Sequence, residues 1–443
     1  MRRSFLVLCI ATAFAIGACT SDQGTTGTAG AGSPAPAGSP AAGSPAGSAA
    51  GSAAASPAAS SGFDPSAVSG NVVFSGWQAS PEEGAALETV LGNFHDKYPN
   101  ITVDYQPVAG DYPAAMTAKF SSGEPPDLFY VDSSVAPEWI DEDVLVDLEP
   151  LAAERGFDTS AFFPGYLDAF RGPEGGIYGF PKDGNTLAMA YNTKMLEDAG
   201  VEPPTNWEEL QAAAEKLTNG DVKAFCLNNS LDRALAFIYQ NGGSVLSDDK
   251  SQNTFDSQET RDALSTYLGW FAGGQAARAA DLGDDWCGKS LGEGKVAMIF
   301  EGGWLDPFMT NSYPDTGYAW APMPQGTQPA TLGFTVSYSI GVDSANQDPA
   351  WVLLQYLTGP EGMTTWTEGG VANPSRQDVP AAEGKEVLVD GAENAKPWSF
   401  IPGFSAINDA FNNAMTAQIE AKSNDPAPVV DATSSAIDQA LSQ

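Results

Sequence analysis

The stretch "IYGFPKDGNTLAMAYNTKMLEDAGVEPPTNWEELQAAAEKL", Ile177 to Leu217, is the most informative block of this chain. Leu187 to Tyr191 is an apolar run of strand length. Lys194 to Ala199 reads as a short helix stopped by Gly200, the residue best suited to the left-handed turn at a helix end. Pro203-Pro204-Thr205 lead into a second helix, with Thr205 or Asn206 as its N-cap and Glu208-Glu209 in its first turn. Strand, short helix, stop and capped helix in direct succession mark an α/β chain.

The same alternation runs outward from this block. Asn71 to Ser75 reads as a strand, and Leu87, Val90, Leu91, Phe94 and Tyr98 recur at helical spacing after it. "PNITVDYQPV" from Pro99 is a turn and strand, Tyr112 to Ser121 a helix, and "DLFYVD" from Asp127 a buried-type strand. Further on come a helix over Gln258–Ala272 and strands at Lys295–Phe300 and Tyr338–Asp343. From Pro349 the chain is largely helical, with helices at Phe404–Ile419 and Pro428–Leu441. Alternation of this kind predicts a mostly parallel sheet covered on both faces, with ligand loops at the carboxyl ends of the strands. Ser75-Gly76-Trp77-Gln78 and Asp132-Ser133-Ser134 occupy such ends.

The N-terminus has a different composition. Arg2-Arg3, the apolar run Phe5 to Ala15 and the small residues Gly17-Ala18 form a secretory signal over residues 1–18. Cys19 directly after Ile-Gly-Ala resembles a bacterial lipobox, which implies cleavage before Cys19 and a lipid on it. Residues 19–62 are almost only Gly, Ala, Ser, Pro and Thr, a tether unable to bury a core. As a flexible coil it spans roughly 35 Å. The expected location is extracytoplasmic, lipid-anchored to the outer face of the cell membrane.

Residues 63–443 are too many for one ordinary core, so two lobes are expected. The formal net charge of −36 opposes nucleic acid and anionic lipid as partners. With Cys9 leaving in the signal and Cys19 lipidated, Cys226 and Cys287 remain in a compartment where disulfides persist, and they are expected to pair. Closing that loop is worth about 4 kcal/mol on the chain-entropy model.

Several motifs together resemble one family. "GNTLAMAYNTKMLEDAG" (from Gly184), "PPTNWEEL", "GKVAMIFEGGW", "APMPQG", "AWVLLQYLTGPEG" and "GGVANPSR" are similar, in order and separation, to motifs of the family 1 extracellular solute-binding proteins, which deliver sugars to ABC importers. The resemblance spans about residue 70 to the end. It implies an α/β, two-lobe periplasmic-binding-protein-like fold of type II, with mixed sheets flanked by helices and a cleft between the lobes. The lobes are expected at 63–188 plus 296–335 and at 189–295 plus 336–443. The crossings are placed near Leu187–Tyr191, Gly288–Val296 and Val336–Val342. Ligand closes the cleft by a hinge motion. The implied partners are a small carbohydrate and the importer's permease subunits. A monomer without cofactor, metal or catalytic residues is expected.

A sugar asks for directional hydrogen bonds and for aromatic faces. The resemblance places Gly303 and Trp304, after the strand ending at Phe300, as a bare turn and a stacking plane. It brings Asp183 before the crossing strand and Arg376 in "NPSR" toward the cleft. Trp77, Gln78 and Asp132 end strands at its edge, Glu301 directly precedes the glycines and is placed to bond a hydroxyl, and Trp286 lies in a loop of the second lobe near a crossing. Lys182 and Asn185 are secondary candidates. Trp139, Trp207, Trp270 and Trp351 read as packing residues, Tyr191-Asn192 as structural, and Trp366 and Trp398 as open.

Other classes fit poorly. His95 is the single histidine and there is no Gly-x-Ser-x-Gly turn, so a Ser-His-Asp hydrolase is disfavoured. "GEGK" at Gly292 lacks phosphate-loop spacing, and "DDKSQNTFDSQE" at Asp248 has Lys, Gln and Asn where a calcium loop needs other residues. The main alternative is an importer binding protein for a non-sugar solute, such as a polyamine, a peptide or a small cation.

Overall fold

The computed structural model describes residues 62–78, 81–370, 372–397 and 401–442. The expected signal, Cys19, the tether up to residue 61 and Trp398 lie outside them. Eleven strands are present among the described residues: β1 (Gly70–Gly76), β2 (Ile101–Pro107), β3 (Leu128–Asp132), β4 (Phe180–Thr186), β5 (Ala188–Asn192), β6 (Lys223–Cys226), β7 (Ala276–Ala277), β8 (Val296–Glu301), β9 (Tyr318–Ala321), β10 (Thr331–Ile340) and β11 (Ala395–Lys396). No helix among the described residues is long and apolar enough to cross a membrane.

The strands form two mixed sheets. The first runs β11-β10-β3-β1-β2, with β4 also on β10, and the second runs β7-β6-β8-β5-β9. β1 is parallel to β2 and β3, whereas β10 enters antiparallel to β3 and β4. Each sheet has its own core. Phe74, Phe129, Trp139, Trp351 and Leu354 are buried on the first, and Met189, Phe225, Phe237, Trp270 and Phe411 on the second.

The opening block folds as its residues dictate. The Asn192 side chain caps the helix Thr193–Ala199 by accepting from the Met195 amide at 3.0 Å. Gly200 closes that helix at φ 59°, a conformation that costs other residues. Asn206 caps the helix Trp207–Leu217 through the Glu209 amide at 2.9 Å, and the Glu209 carboxylate accepts from the Thr205 amide at 2.9 Å. Tyr191-Asn192 is thus structural through its cap. Trp207 donates from Nε1 to Gln240 Oε1 at 2.7 Å. Trp139, Trp270 and Trp351 are buried in the cores.

Two expectations about the lobes are corrected. Val296–Glu301 does not begin a return to the first lobe: β8 is the central strand of the second sheet, between β6 and β5. The apolar run Val296 to Phe300 asks for burial on both faces, and a central strand supplies it. Conversely, β10 and the helices Gln347–Leu357 and Pro360–Thr367 belong with the first core. Of the last third, the helices Phe404–Glu420 and Ala427–Leu441 pack on the second core.

The crossings shift accordingly. The first lies at Leu187, as expected; the second lies between β9 and β10, and the third follows β11. They run side by side on β10. Gly333 pairs with Thr186, and Thr331 and Leu332 pair with Ala395 and Lys396. Thr331 Oγ1 also donates to the Leu187 carbonyl at 2.7 Å. Cys226 and Cys287 form a disulfide, as expected, joining the end of β6 to the helix Cys287–Gly292.

Candidate functional site

A cleft of about 630 Å³ opens at this junction. Its floor follows from strand register. Val336 of β10 stands opposite Asp132 of β3 on one side and Asp183 of β4 on the other. Directly opposite residues on antiparallel strands share a face. One row therefore reads Asp132–Val336–Asp183, with the two carboxylate-bearing strands about 10 Å apart. Two residues along β10, Phe334 stands opposite Asn185 on the same face. The floor is an apolar stripe, Phe334 and Val336, edged by carboxylates and an amide.

The walls come from both lobes. Ser134 and the exposed Glu138 rise beyond β3, while Ile401 to Ser405 and Asn408, at the start of the helix Phe404–Glu420, face them. The Asn408 Oδ1 atom is buried and has no partner among the described residues. A second compartment of about 600 Å³ adjoins the first, sharing Asp132, Ser134 and Val135 and reaching Trp77, Gln78 and Tyr112. The Trp77 ring is held edge-on by Tyr112 at 4.9 Å and Tyr130 at 5.1 Å.

Asp132 is fixed from one side. Its Oδ1 accepts from the Ser134 amide at 2.8 Å, and its Oδ2 has no partner among the described residues. Asp183 is fixed from below. Its Oδ2 accepts from Lys182 Nζ at 2.5 Å and from Trp366 Nε1 at 3.1 Å. Lys182 is buried, reaches Glu83 at 3.4 Å, and lies 4.1 Å from the Trp366 ring centroid. Charge pairing and the aromatic face together keep the ammonium in this setting. The nearby phenols add no charge: burial, with Glu83 as a smaller cause, raises Tyr105 to about 12, and burial pushes Tyr130 and Tyr338 well up.

The structure brings Trp77, Gln78, Asp132 and Asp183 to the two compartments. It corrects the other candidates. Trp304 is not among the residues lining the cleft; it stands edge-on behind Phe334, with ring centroids 5.5 Å apart. Its Nε1 donates to Glu301 Oε2 at 3.1 Å, so the indole supports the aromatic floor from the second lobe. Glu301 is 2% exposed and salt-bridged to Arg233 at 2.8 Å, which leaves it a structural carboxylate. Burial lowers the Arg233 pKa, but Glu301 and Asp232 outweigh it and the net direction is up.

Gly303 donates its N–H to Asn185 Oδ1 at 3.2 Å. A Cβ there would stand 2.9 Å from that oxygen and 3.2 Å from Leu388 Cδ1, so the bare turn serves a contact between chain segments. Arg376 is 4% exposed, paired through Nε and Nη2 with Asp378, donating from Nη1 to the Thr358 carbonyl at 3.3 Å and laid over Phe162. It is a strut under the first lobe. Trp286 packs against Phe308 with centroids 4.6 Å apart, away from the cleft lining.

Sequence reasoning missed Phe334, Val336, Glu138 and Asn408. The first two had a signal: Phe334, Val336 and Tyr338 alternate with Gly333, Thr335 and Ser337 in "TLGFTVSYSI". Asn408 sits among polar residues of an amphipathic helix and has none.

The comparisons with known proteins agree with this architecture. An ABC substrate-binding protein of Listeria monocytogenes, solved with cycloalternan, matches with TM-score 0.71 at 21% identity, covering 84% of this chain and 99% of that one. The sugar-binding protein MalE of Xanthomonas citri matches with TM-score 0.74 at 20% identity over 84% of this chain and 98% of that one. An uncharacterized ABC transporter extracellular-binding protein of Pyrococcus horikoshii is 21% identical over 322 residues, 69% of this chain and 71% of the relative. The two structural likenesses establish the two-lobe fold. The family model for bacterial extracellular solute-binding proteins matches residues 78–364. Over most of its length, from the floor strands to the helices behind them, this chain therefore belongs to the bacterial extracellular solute-binding proteins.

Proposed function

We propose that this protein captures a mono- or oligosaccharide in the cleft and delivers it to the permease subunits of an ABC importer. The observation that carries the reading is the floor, an apolar stripe edged by hydrogen-bonding groups. A pyranose has the complementary form: its C–H face covers Phe334 and Val336 while its rim hydroxyls reach Asp132, Asp183 and Asn185. The two compartments, meeting at Asp132, favour a ligand of more than one ring. Solved relatives of the same fold hold cycloalternan, acarbose and maltotetraose.

The mechanism follows from the junction. Three passages of chain hydrogen-bonded on β10 allow one lobe to rotate on the other while the floor stays intact. Ligand lying on the floor presents hydroxyls to the Asn408 side of the second lobe. Closure gives the unpartnered Asn408 Oδ1 a donor, and such an interaction, absent in the open form, biases the two-state equilibrium toward the closed one. The closed form is what the permease reads.

The signal over residues 1–18, a lipid on Cys19 and the Gly/Ala/Ser/Pro tether hold a monomeric receptor near the outer face of the membrane. A thermal-shift screen of the full chain against mono- and oligosaccharides tests the proposal, since a ligand bound to the folded state raises the melting temperature. A shift with a saccharide that Phe334→Ala abolishes supports it. A shift with an amino acid, peptide or metal and with no saccharide refutes it.

A further inference from the structure

We infer that the carbohydrate this cleft selects carries a protonated amine. The inference rests on the carbohydrate reading above and adds the charge of the ligand. Among the described residues, neither compartment is lined by Lys, Arg or His. Both are lined by carboxylates: Asp132, Glu138 and Asp183 in the first, Asp111 and again Asp132 in the second. Lys182, the nearby cation, lies beneath the floor and is shared between Glu83 and Asp183. It offsets one of those charges and leaves the cleft negative.

The free lone pairs point the same way. Asp132 offers Oδ2 and Asp183 offers Oδ1, neither with a partner among the described residues. Asn408 adds a buried oxygen with no partner at all among them. A buried acceptor left unpaired is costly, so the ligand that suits this cleft is rich in donors. Neutral hydroxyls donate, but each also brings lone pairs that meet no cation here. An ammonium brings donors only, together with the charge that the carboxylates call for. Phosphorylated or uronic sugars bring the opposite charge to a wall without a cation, and are rejected.

Asp132 is the most apt partner for the amine. It is the carboxylate common to both compartments, and Ser134 fixes its other oxygen. An amine in contact with it adds on the order of tenfold in affinity at a partly solvated site.

The test is calorimetric titration of the full chain with matched sets: glucose, glucosamine and glucuronate, the galactose series, and oligomers of each. The inference expects the amine member of the best-binding set to bind about tenfold or more tighter than the neutral one in low salt. That ratio should fall as salt rises toward about 0.5 M, where screening shortens to a few ångströms. Asp132→Asn should bring the ratio toward unity. Glu138→Gln, on an exposed side chain whose loss cannot unfold the lobe, should lower it severalfold. A neutral sugar binding as tightly as its amine counterpart, or a uronate binding equally well, overturns the inference and leaves the carbohydrate reading standing. Failure of every saccharide, whatever its charge, overturns the carbohydrate reading and this inference with it.

Discussion

Replacing Arg233 by Met asks directly whether Glu301 is a structural carboxylate or a ligand contact. The Glu301 side chain is 3% exposed and that of Arg233 14%, with 2.8 Å between them. Arg233→Met keeps most of the aliphatic stem and removes the guanidinium, leaving Glu301 with Trp304 Nε1 as its remaining donor. Breaking one side of so buried a pair costs about 3–5 kcal/mol, because the orphaned carboxylate stays desolvated. At about 2 °C per kcal/mol for a chain of this size, the melting temperature falls by roughly 6–10 °C. Glu301→Gln alone costs less, since Arg233 keeps Asp232. The double variant Arg233→Met/Glu301→Gln recovers most of the loss, to within about 2 kcal/mol of the parent. Urea midpoints of all four proteins complete the cycle, and saccharide affinity measured on each separates the two roles. The structural assignment expects Glu301→Gln to change affinity by less than about fivefold, through Trp304 behind Phe334. Loss of binding in Glu301→Gln with an unshifted urea midpoint, or a double variant as unstable as Arg233→Met, would refute the reasoning.

Further outcomes follow from the same geometry. Phe334→Ala removes the aromatic half of the floor and should weaken saccharide binding at least about tenfold by calorimetry, at a stability cost of about 2–3 kcal/mol. Reducing Cys226–Cys287, or replacing both by Ser, releases a loop with a sequence separation of 61 and should lower stability by about 4 kcal/mol, read as a urea midpoint with and without reductant. Gly303→Ala puts a Cβ 2.9 Å from Asn185 Oδ1 and should loosen the turn, seen as a lower melting temperature and weaker saccharide binding. For pH, Arg376 holds the Asp378 carboxyl below its usual range, Arg278 does so for Asp281, and the Ser247 and Ser251 hydroxyls with the Ser251 amide lower Asp249 to about 2. Groups lowered in the folded state contribute fully above the ordinary carboxylate pKa of about 4 and lose that contribution as pH falls through the lowered values. Urea midpoints should therefore be flat on this account near neutrality and fall below about pH 4.

Much of the architecture was readable before folding because it is written in short-range terms. The stop at Gly200 and the capped helix after Thr205-Asn206 each depend on residues within four places of one another. The disulfide followed from compartment and elimination. Lobe membership was less legible. Whether β8 lies at the centre of the second sheet or the edge of the first depends on pairings with β5 and β6, strands far back in the chain, which its apolar run alone cannot distinguish. The same limit explains Trp304. A tryptophan after two glycines suits a stacking plane or a buttress equally well, and the choice was made by Phe334, thirty positions on, reaching the cleft first.

Chain order and residue type were sufficient for the α/β class and the family, since periodicity and capping act locally and the motifs keep their order. The setting of Glu301 was decided only in three dimensions. A buried charge goes where its partner is: Glu301 pairs with Arg233 from a different element, while Arg376 pairs with nearby Asp378 and is buried over Phe162 from far back in the chain. The floor itself belongs to the tertiary structure. Asp132, Val336 and Asp183 become one row only when three strands far apart in the chain come into register, and no local preference encodes that register.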